Sequence, residues 1–311
     1  TVWPCNDELS TAPNTSVLNV APDWTRANVV TTKLGDHGGV CITSNTTLHL
    51  VADVQAFTSE SSPLQPTDPT RIYDSRTATT GKFGFNETRR IDVSAELGLD
   101  EHPDAAWVNI TTVAAEGDGF VTVWPCAAAS DPMPNASILN FVGGDAVANN
   151  SLVGLIDGGF CLFSWTPSHL IVDVTATMAP NDQIIPITPQ RFIDTREMNA
   201  WHLSSTGESE AGRYAAQETR MFNIGAVHGG DVTGIIANFT VVGPEGSNHL
   251  TTWPCDSPHD PPPNTSNLNY NTGWSATPGN SIQALSADGN ICVFSYAAAD
   301  LIIDITALVR G

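Results

Sequence analysis

The chain has 311 residues, 41% of them hydrophobic and only 14% charged, and a formal net charge of −21 with just 12 lysines and arginines. That balance excludes a nucleic-acid or anionic-membrane partner, because either needs basic clusters that neutralise phosphates. No run of 18 apolar residues occurs, which excludes insertion as a membrane-spanning helix; polarity carried by Asn, Thr, Ser and Gly favours strands and turns over helices.

In chain order, one set of motifs appears three times. Residues 1–57 carry Trp3-Pro4-Cys5, then Pro13-Asn14-Thr15-Ser16-Val17-Leu18-Asn19, a second cysteine at Cys41, and Leu50-Val51-Ala52-Asp53-Val54. Strands are predicted over 28–34, 39–43 and 48–57, with a glycine-rich hairpin loop between the first two. This stretch matches only the second half of each of the two later units. A Ser/Pro-rich segment, 58–68, reads as a linker. The second unit, 69–179, opens on Arg71-Ile72-Tyr73-Asp74-Ser75-Arg76 and continues to Arg89. It then runs through Trp124-Pro125-Cys126, Pro134-Asn135-Ala136-Ser137, Cys161 and Leu170-Ile171-Val172-Asp173-Val174. A second linker is placed at 180–188. The third unit, 189–311, repeats the order with Arg191, Asp194, Arg196, Arg220, Trp253-Pro254-Cys255, Asn264, Cys292 and Asp304.

About eight short strands per complete unit, separated by turn residues, predict an all-β protein. It consists of tandem antiparallel β-sandwich units with one disulfide each, the first unit incomplete, arranged as beads in a line. The first unit lacks everything matching 69–121. Its missing strands are expected from residues upstream of Thr1, on a longer polypeptide, a retained fragment or a neighbouring chain, because half a sandwich leaves its inner face bare.

The R-x-x-D-[ST]-R start, the W-P-C strand, the P-N-x-S-x-L-N segment, the second cysteine and the V-D-V close resemble a tandem β-rich repeat module of secreted and cell-surface actinobacterial proteins. That resemblance covers nearly the whole chain. It implies a secreted or surface accessory role and carries no catalytic residues with it.

Six cysteines fall as one pair per copy, separated by 36, 35 and 37 residues. This placement reads as Cys5–Cys41, Cys126–Cys161 and Cys255–Cys292 in an oxidising compartment. The rival reading, a metal site, lacks any C-x-x-C or H-x-x-x-H spacing, and no cofactor is called for. Six of the 12 basic residues (Arg71, Arg76, Arg89 and their counterparts Arg191, Arg196, Arg220) sit at matched positions. One reading makes them a carboxylate- or sugar-binding set. The other pairs Asp173 with Arg71 or Arg76, and Asp304 with Arg191 or Arg196, since a charge interrupting an apolar strand needs a partner. Of eight Asn-x-Ser/Thr sequons, Asn14, Asn135 and Asn264 are equivalent and are the candidate glycosylation sites; the plainer account is a Pro-Asn turn. Asn109 and Asn238 fall inside predicted strands. Trp3, Trp124 and Trp253 are expected to cover the disulfides. Trp24, Trp165, Trp201 and Trp274, read as unmatched across the copies, are expected to be core, or sugar-stacking if exposed.

The functional expectation is an extracellular structural or adhesive repeat protein, not an enzyme, building a surface layer, stalk or filament by self-association with neighbouring copies. The alternative is an array of carbohydrate-binding modules accessory to a secreted hydrolase, with cell-surface glycans as partners.

Overall fold

The computed structural model describes residues 1–5, 11–197 and 212–311; Trp201 lies outside them. The second unit contains eight strands: β3 (Leu64–Asp74), β4 (Glu87–Asp92), β5 (Ala105–Val113), β6 (Gly119–Pro125), β7 (Leu139–Phe141), β8 (Val147–Gly154), β9 (Gly159–Ser164) and β10 (His169–Met178). They form two antiparallel sheets, ordered β3-β10-β5-β8 and β4-β9-β6-β7. The third unit repeats this strand for strand: β11 (Ile184–Asp194), β12 (Glu218–Asn223), β13 (Val232–Val242), β14 (Asn248–Pro254), β15 (Leu268–Tyr270), β16 (Ala276–Ala284), β17 (Asn290–Ser295) and β18 (Asp300–Arg310). Its sheets are β11-β18-β13-β16 and β12-β17-β14-β15.

Period-two alternation turns one face of each sheet into a sandwich core. In the second unit Val108, Ile110, Val172 and Val174 meet Ile91, Val121, Val123, Phe160 and Leu162 across the gap. The third unit does the same with Ile235, Ala237, Ile303 and Ile305 against Phe222, Leu250, Ile291 and Val293.

Three expectations are corrected. Both linkers are partly strand: β3 begins at Leu64 and β11 at Ile184. Both are edge strands, where the unpaired side tolerates Pro66, Pro69, Pro186 and Pro189, so a Ser/Pro-rich composition hid them. Among the described residues of the first unit, only β1 (Val2–Pro4) and β2 (Val40–Ile42) pair; 28–34 and 48–57 are not strands. Their ladder partners in the other units, the counterparts of β3 and β5, are not present in residues 1–57, and a strand is defined by its ladder.

The third correction is the arrangement. The units are not beads in a line but close a ring. The outer face of the β3-β10-β5-β8 sheet is itself apolar, and Leu64, Trp107, Leu152 and Ala176 cluster with Ile184, Ile236, Ile282 and Ala307 of the third unit. These are four matched pairs, which is what equivalent faces converging on one axis produce. Val29 of the first unit joins them. First and third units also touch directly: Ile282 N donates to Gln55 Oε1 at 3.2 Å, and Asn271 Nδ2 to the Thr25 carbonyl at 3.4 Å.

Disulfides join Cys5 to Cys41, Cys126 to Cys161 and Cys255 to Cys292, with Cα separations of 5.4, 5.6 and 5.7 Å. Trp124 and Phe163 pack on the second and Trp253 on the third. Non-reducing peptide mapping should return these three links and none between units. Replacing Cys126 and Cys161 together by serine should cost up to about 4 kcal/mol in urea unfolding, the loop-closure figure for this span.

Candidate functional site

The most elaborate polar construction in the molecule is the seam between units, and it is built twice. In the second unit the register lines up Arg71, Asp173, Asn109 and Asn150 across β3, β10, β5 and β8. In the third unit Arg191, Asp304, Asn238 and Asn280 form the same row. Both rows lie on the sheet face turned away from the sandwich core.

At the head of each row an arginine grips the aspartate with two bonds. Arg71 Nε and Nη2 reach Asp173 at 2.8 and 3.2 Å, and Arg191 does so to Asp304 at the same two distances. Arg76 and Arg196 are elsewhere: their guanidinium groups bind Asp74 and Asp194 at 2.6 Å. Arg89 and Arg220 donate to backbone carbonyls of the preceding loop, at Gly81 and Lys82 and at Gly212 and Arg213. All six matched arginines thus have intramolecular acceptors.

The neighbouring unit supplies the other half of each seam. At the second-to-third seam, Asn238 Nδ2 donates to the Ser137 carbonyl at 2.7 Å and Ser137 N to Asp304 Oδ2 at 3.3 Å. Asn149 Nδ2 donates to Asn238 Oδ1 at 3.0 Å and to the Ile138 carbonyl at 2.5 Å. At the first-to-second seam, Asn109 Nδ2 donates to the Ser16 carbonyl, and the Ser16 amide favours the ionised form of Asp173. Asn28 Nδ2 donates to the Val17 carbonyl at 2.6 Å and to Asn109 Oδ1 at 3.4 Å. Residue for residue, Ser16, Val17, Asn28 and Asn109 play the parts of Ser137, Ile138, Asn149 and Asn238. A buried amide left without partners is costly, so each seam holds only when both halves are in place.

The third unit departs from the pattern at the corresponding knuckle. Asn267 stands where the others have Val17 and Ile138, and Gly279 replaces Asn28 and Asn149. A Cβ at Gly279 would sit 2.7 Å from Leu268 Cδ1, so an asparagine there would have to push the Leu268 side chain aside. The contact between third and first units uses other chemistry. Trp24 and Trp274 meet edge to face at 4.9 Å, and the Arg26 guanidinium lies over both rings, 4.4 and 3.6 Å from their centroids. Burial pushes Arg26 down to about 10, with Asp145 of the second unit holding it up in part. Trp24 and Trp274 are in fact matched, each the same distance beyond its Pro-Asn motif; spacing counted from Asn14 and Asn264 reveals it.

Away from the seams, Asn14, Asn135 and Asn264 are exposed, whereas Asn109, Asn149 and Asn238 are buried. Trp165 is partly exposed and stacks on Phe120 at 5.7 Å, with exposed Phe85 at 5.1 Å. The third unit has Tyr296 at the matching place, 5.6 Å from His249 and 6.3 Å from Phe294. Beside it is a shallow cleft of about 260 Å³, lined in part by Gln217, Glu245, Ser247 and Asn248.

The carboxylates separate by environment. Burial pushes Asp173 and Asp304 above the ordinary range, more than Arg71 and Arg191 pull them down. Asp74 is lowered, first by its bond to Arg76; Asp194 is lowered too, its burial outweighed by Arg196 and Arg191. The first pair favours the native state in acid, a contribution lost as pH rises through their folded pKa values. The second pair stabilises above the unfolded carboxylate pKa, and that contribution is lost as pH falls through their folded values. Carboxyl-carbon NMR titration should place Asp173 and Asp304 above, and Asp74 and Asp194 below, a free aspartate.

No known protein family matches this sequence, and no curated protein does. Among solved structures, the chain is similar to the N-terminal tandem CBM22 domains of Xyn10C from Paenibacillus barcinonensis. Identity is 7% and the TM-score 0.23, over 78% of this chain and 98% of that one. A superposition this loose says nothing about ligands.

Asp304→Ala takes from Arg191 its two-bond acceptor, leaving it the Asp194 contact at 3.1 Å, and removes the acceptor of Ser137 N, so it should cost about 1–3 kcal/mol. Asn238→Ala should cost about 1–3 kcal/mol and speed hydrogen exchange at the seam-facing amides, Ser137 foremost. Denaturant unfolding with exchange mass spectrometry checks both.

Proposed function

We propose that this protein is a rigid structural subunit of an extracellular, repeating surface assembly. The observation that carries the proposal is the seam made twice from the same residues: an interface copied within one chain is a building module. Three disulfides suit an oxidising compartment, and a net charge of −21 keeps so large a surface soluble. The buried charges Asp173, Asp194 and Asp304 all serve contacts within or between units. Antibodies against the chain should label extended, regularly repeating structures on the surface of the producing cells in electron micrographs. Label confined to the cell interior, or to scattered single particles, would overturn the proposal.

A second reading, binding of cell-surface glycans, is favoured by the aromatic ledge of Phe85, Phe120 and Trp165 and its counterpart at Tyr296. Flat rings half in water suit the apolar faces of sugars. On a glycan array, binding by the intact chain should fall at least about tenfold in a Trp165→Ala, Tyr296→Ala double variant, a factor worth about 1.4 kcal/mol. Equal binding by both proteins, or none by either, removes this reading.

A further inference from the structure

The ring has an axis, and the repeat shows which residues meet there. Ala27, Ala148 and Thr277 each stand the same distance beyond their Pro-Asn motif, at Asn14, Asn135 and Asn264. All three line one small cavity of about 10 Å³, room for a single water-sized occupant. Equivalent positions from three units converging on one space mark the centre of the ring. Two polar side chains stand there at positions the other units keep apolar. Thr277 replaces the alanine of the first and second units. One position earlier, Arg26 stands where the others have Val147 and Ala276, and it lines the same cavity.

Neither polar group finds a partner within the chain. Arg26 Nε and Nη2 are shut off from solvent, and among the described residues nothing accepts from them. Thr277 is 5% exposed, and its hydroxyl is likewise unpartnered among those residues. The Nε–Nη2 edge is the one with which Arg71 and Arg191 grip Asp173 and Asp304. In Arg26 the same fork turns to no carboxylate. Its guanidinium lies over the rings of Trp24 and Trp274, a contact that attracts the charge but leaves the in-plane N–H groups without an acceptor. Asp145, at the position that matches both tryptophans, offsets the buried charge in part. A water at the axis would satisfy the donors and leave the charge as it is. A small anion would satisfy the donors and balance the charge as well.

We infer that the axis of the ring is a binding site for one halide ion, such as chloride, held by Arg26 Nε and Nη2 and by the Thr277 hydroxyl. A cavity of this size takes a monatomic ion and has no place for sulfate or an organic carboxylate. Arg26 comes from the first unit, Ala148 from the second and Thr277 from the third, so the ion ties closure of the ring to halide concentration.

The test compares sodium chloride, sodium bromide and sodium gluconate at one fixed ionic strength, which holds screening of the acidic surface constant. Gluconate is too large for the cavity. Hydrogen exchange of the full chain is read over 24–28 and 274–280. Chloride and bromide should slow it by at least about tenfold relative to gluconate, with the effect saturating by about 0.15 M, near physiological ionic strength. Thr277→Val should raise the chloride concentration for half the effect by about tenfold, as the loss of one hydrogen bond does, and Thr277→Ser should restore it. Arg26→Gln should abolish the effect; if that variant opens the ring, the two Thr277 variants carry the test. Equal exchange in chloride and gluconate, the result for a bound water, overturns the site. A chloride effect that rises without saturating overturns it too, as does one that is unchanged in Thr277→Val, because its source is then elsewhere.

Discussion

A carboxylate taken into the middle of a sheet must be given a cation and donors, or the sheet does not form. Asp173 and Asp304 stand at that point, on the central strands of the outer sheets, and much of the architecture comes from supplying them. The edge strand brings arginine, the other flanking strand brings asparagine, and the next unit brings a backbone amide. The ion pair alone belongs to the unit. The amide from next door makes it part of the seam, so the folding of one unit and the docking of its neighbour share one desolvated charge.

The two outward faces of each sandwich have different tasks. The face bearing the Arg-Asp-Asn row also carries Leu64, Trp107, Leu152 and their counterparts, and it faces the ring. The opposite face carries the disulfide with its covering tryptophan and, beyond it, the half-exposed aromatic ledge. Apolar burial supplies most of the attraction within the ring, while the polar row sets which residues may meet. An unpaired buried amide penalises any slipped alignment, and that gives the seam its direction: a serine-asparagine knuckle on one unit, an asparagine-aspartate socket on the next.

That direction also explains why the ring closes without repeating the seam a third time. The third unit's knuckle has Asn267 where the others have Val17 and Ile138, and Gly279 where they have Asn28 and Asn149. Closure falls instead to Arg26 between two tryptophans, a cation held by ring faces. Aromatic contact tolerates small shifts that a hydrogen-bonded amide pair does not, which suits a closing contact where the knuckle residues differ.

The repeats, the all-β class, the cysteine spacing and the presence of a charge inside an apolar strand were legible because each is local: a period of two, a turn dipeptide, a motif at a fixed interval. Asn109 and Asn238 were visible as sequons inside strands, and Arg71 and Arg76 as rival partners for Asp173. Only register decided between the arginines, since Arg71 pairs across the strand and Arg76 folds back on Asp74. The strand residues after Leu64 and Ile184 were hidden because proline reads as linker until the edge of a sheet is known. The ring, the roles of Asn28 and Asn149, and the meeting of Trp24 with Trp274 depend on which outer faces are apolar once both sheets have formed. That is a property of surfaces assembled from distant segments, and tertiary packing alone brings those segments together.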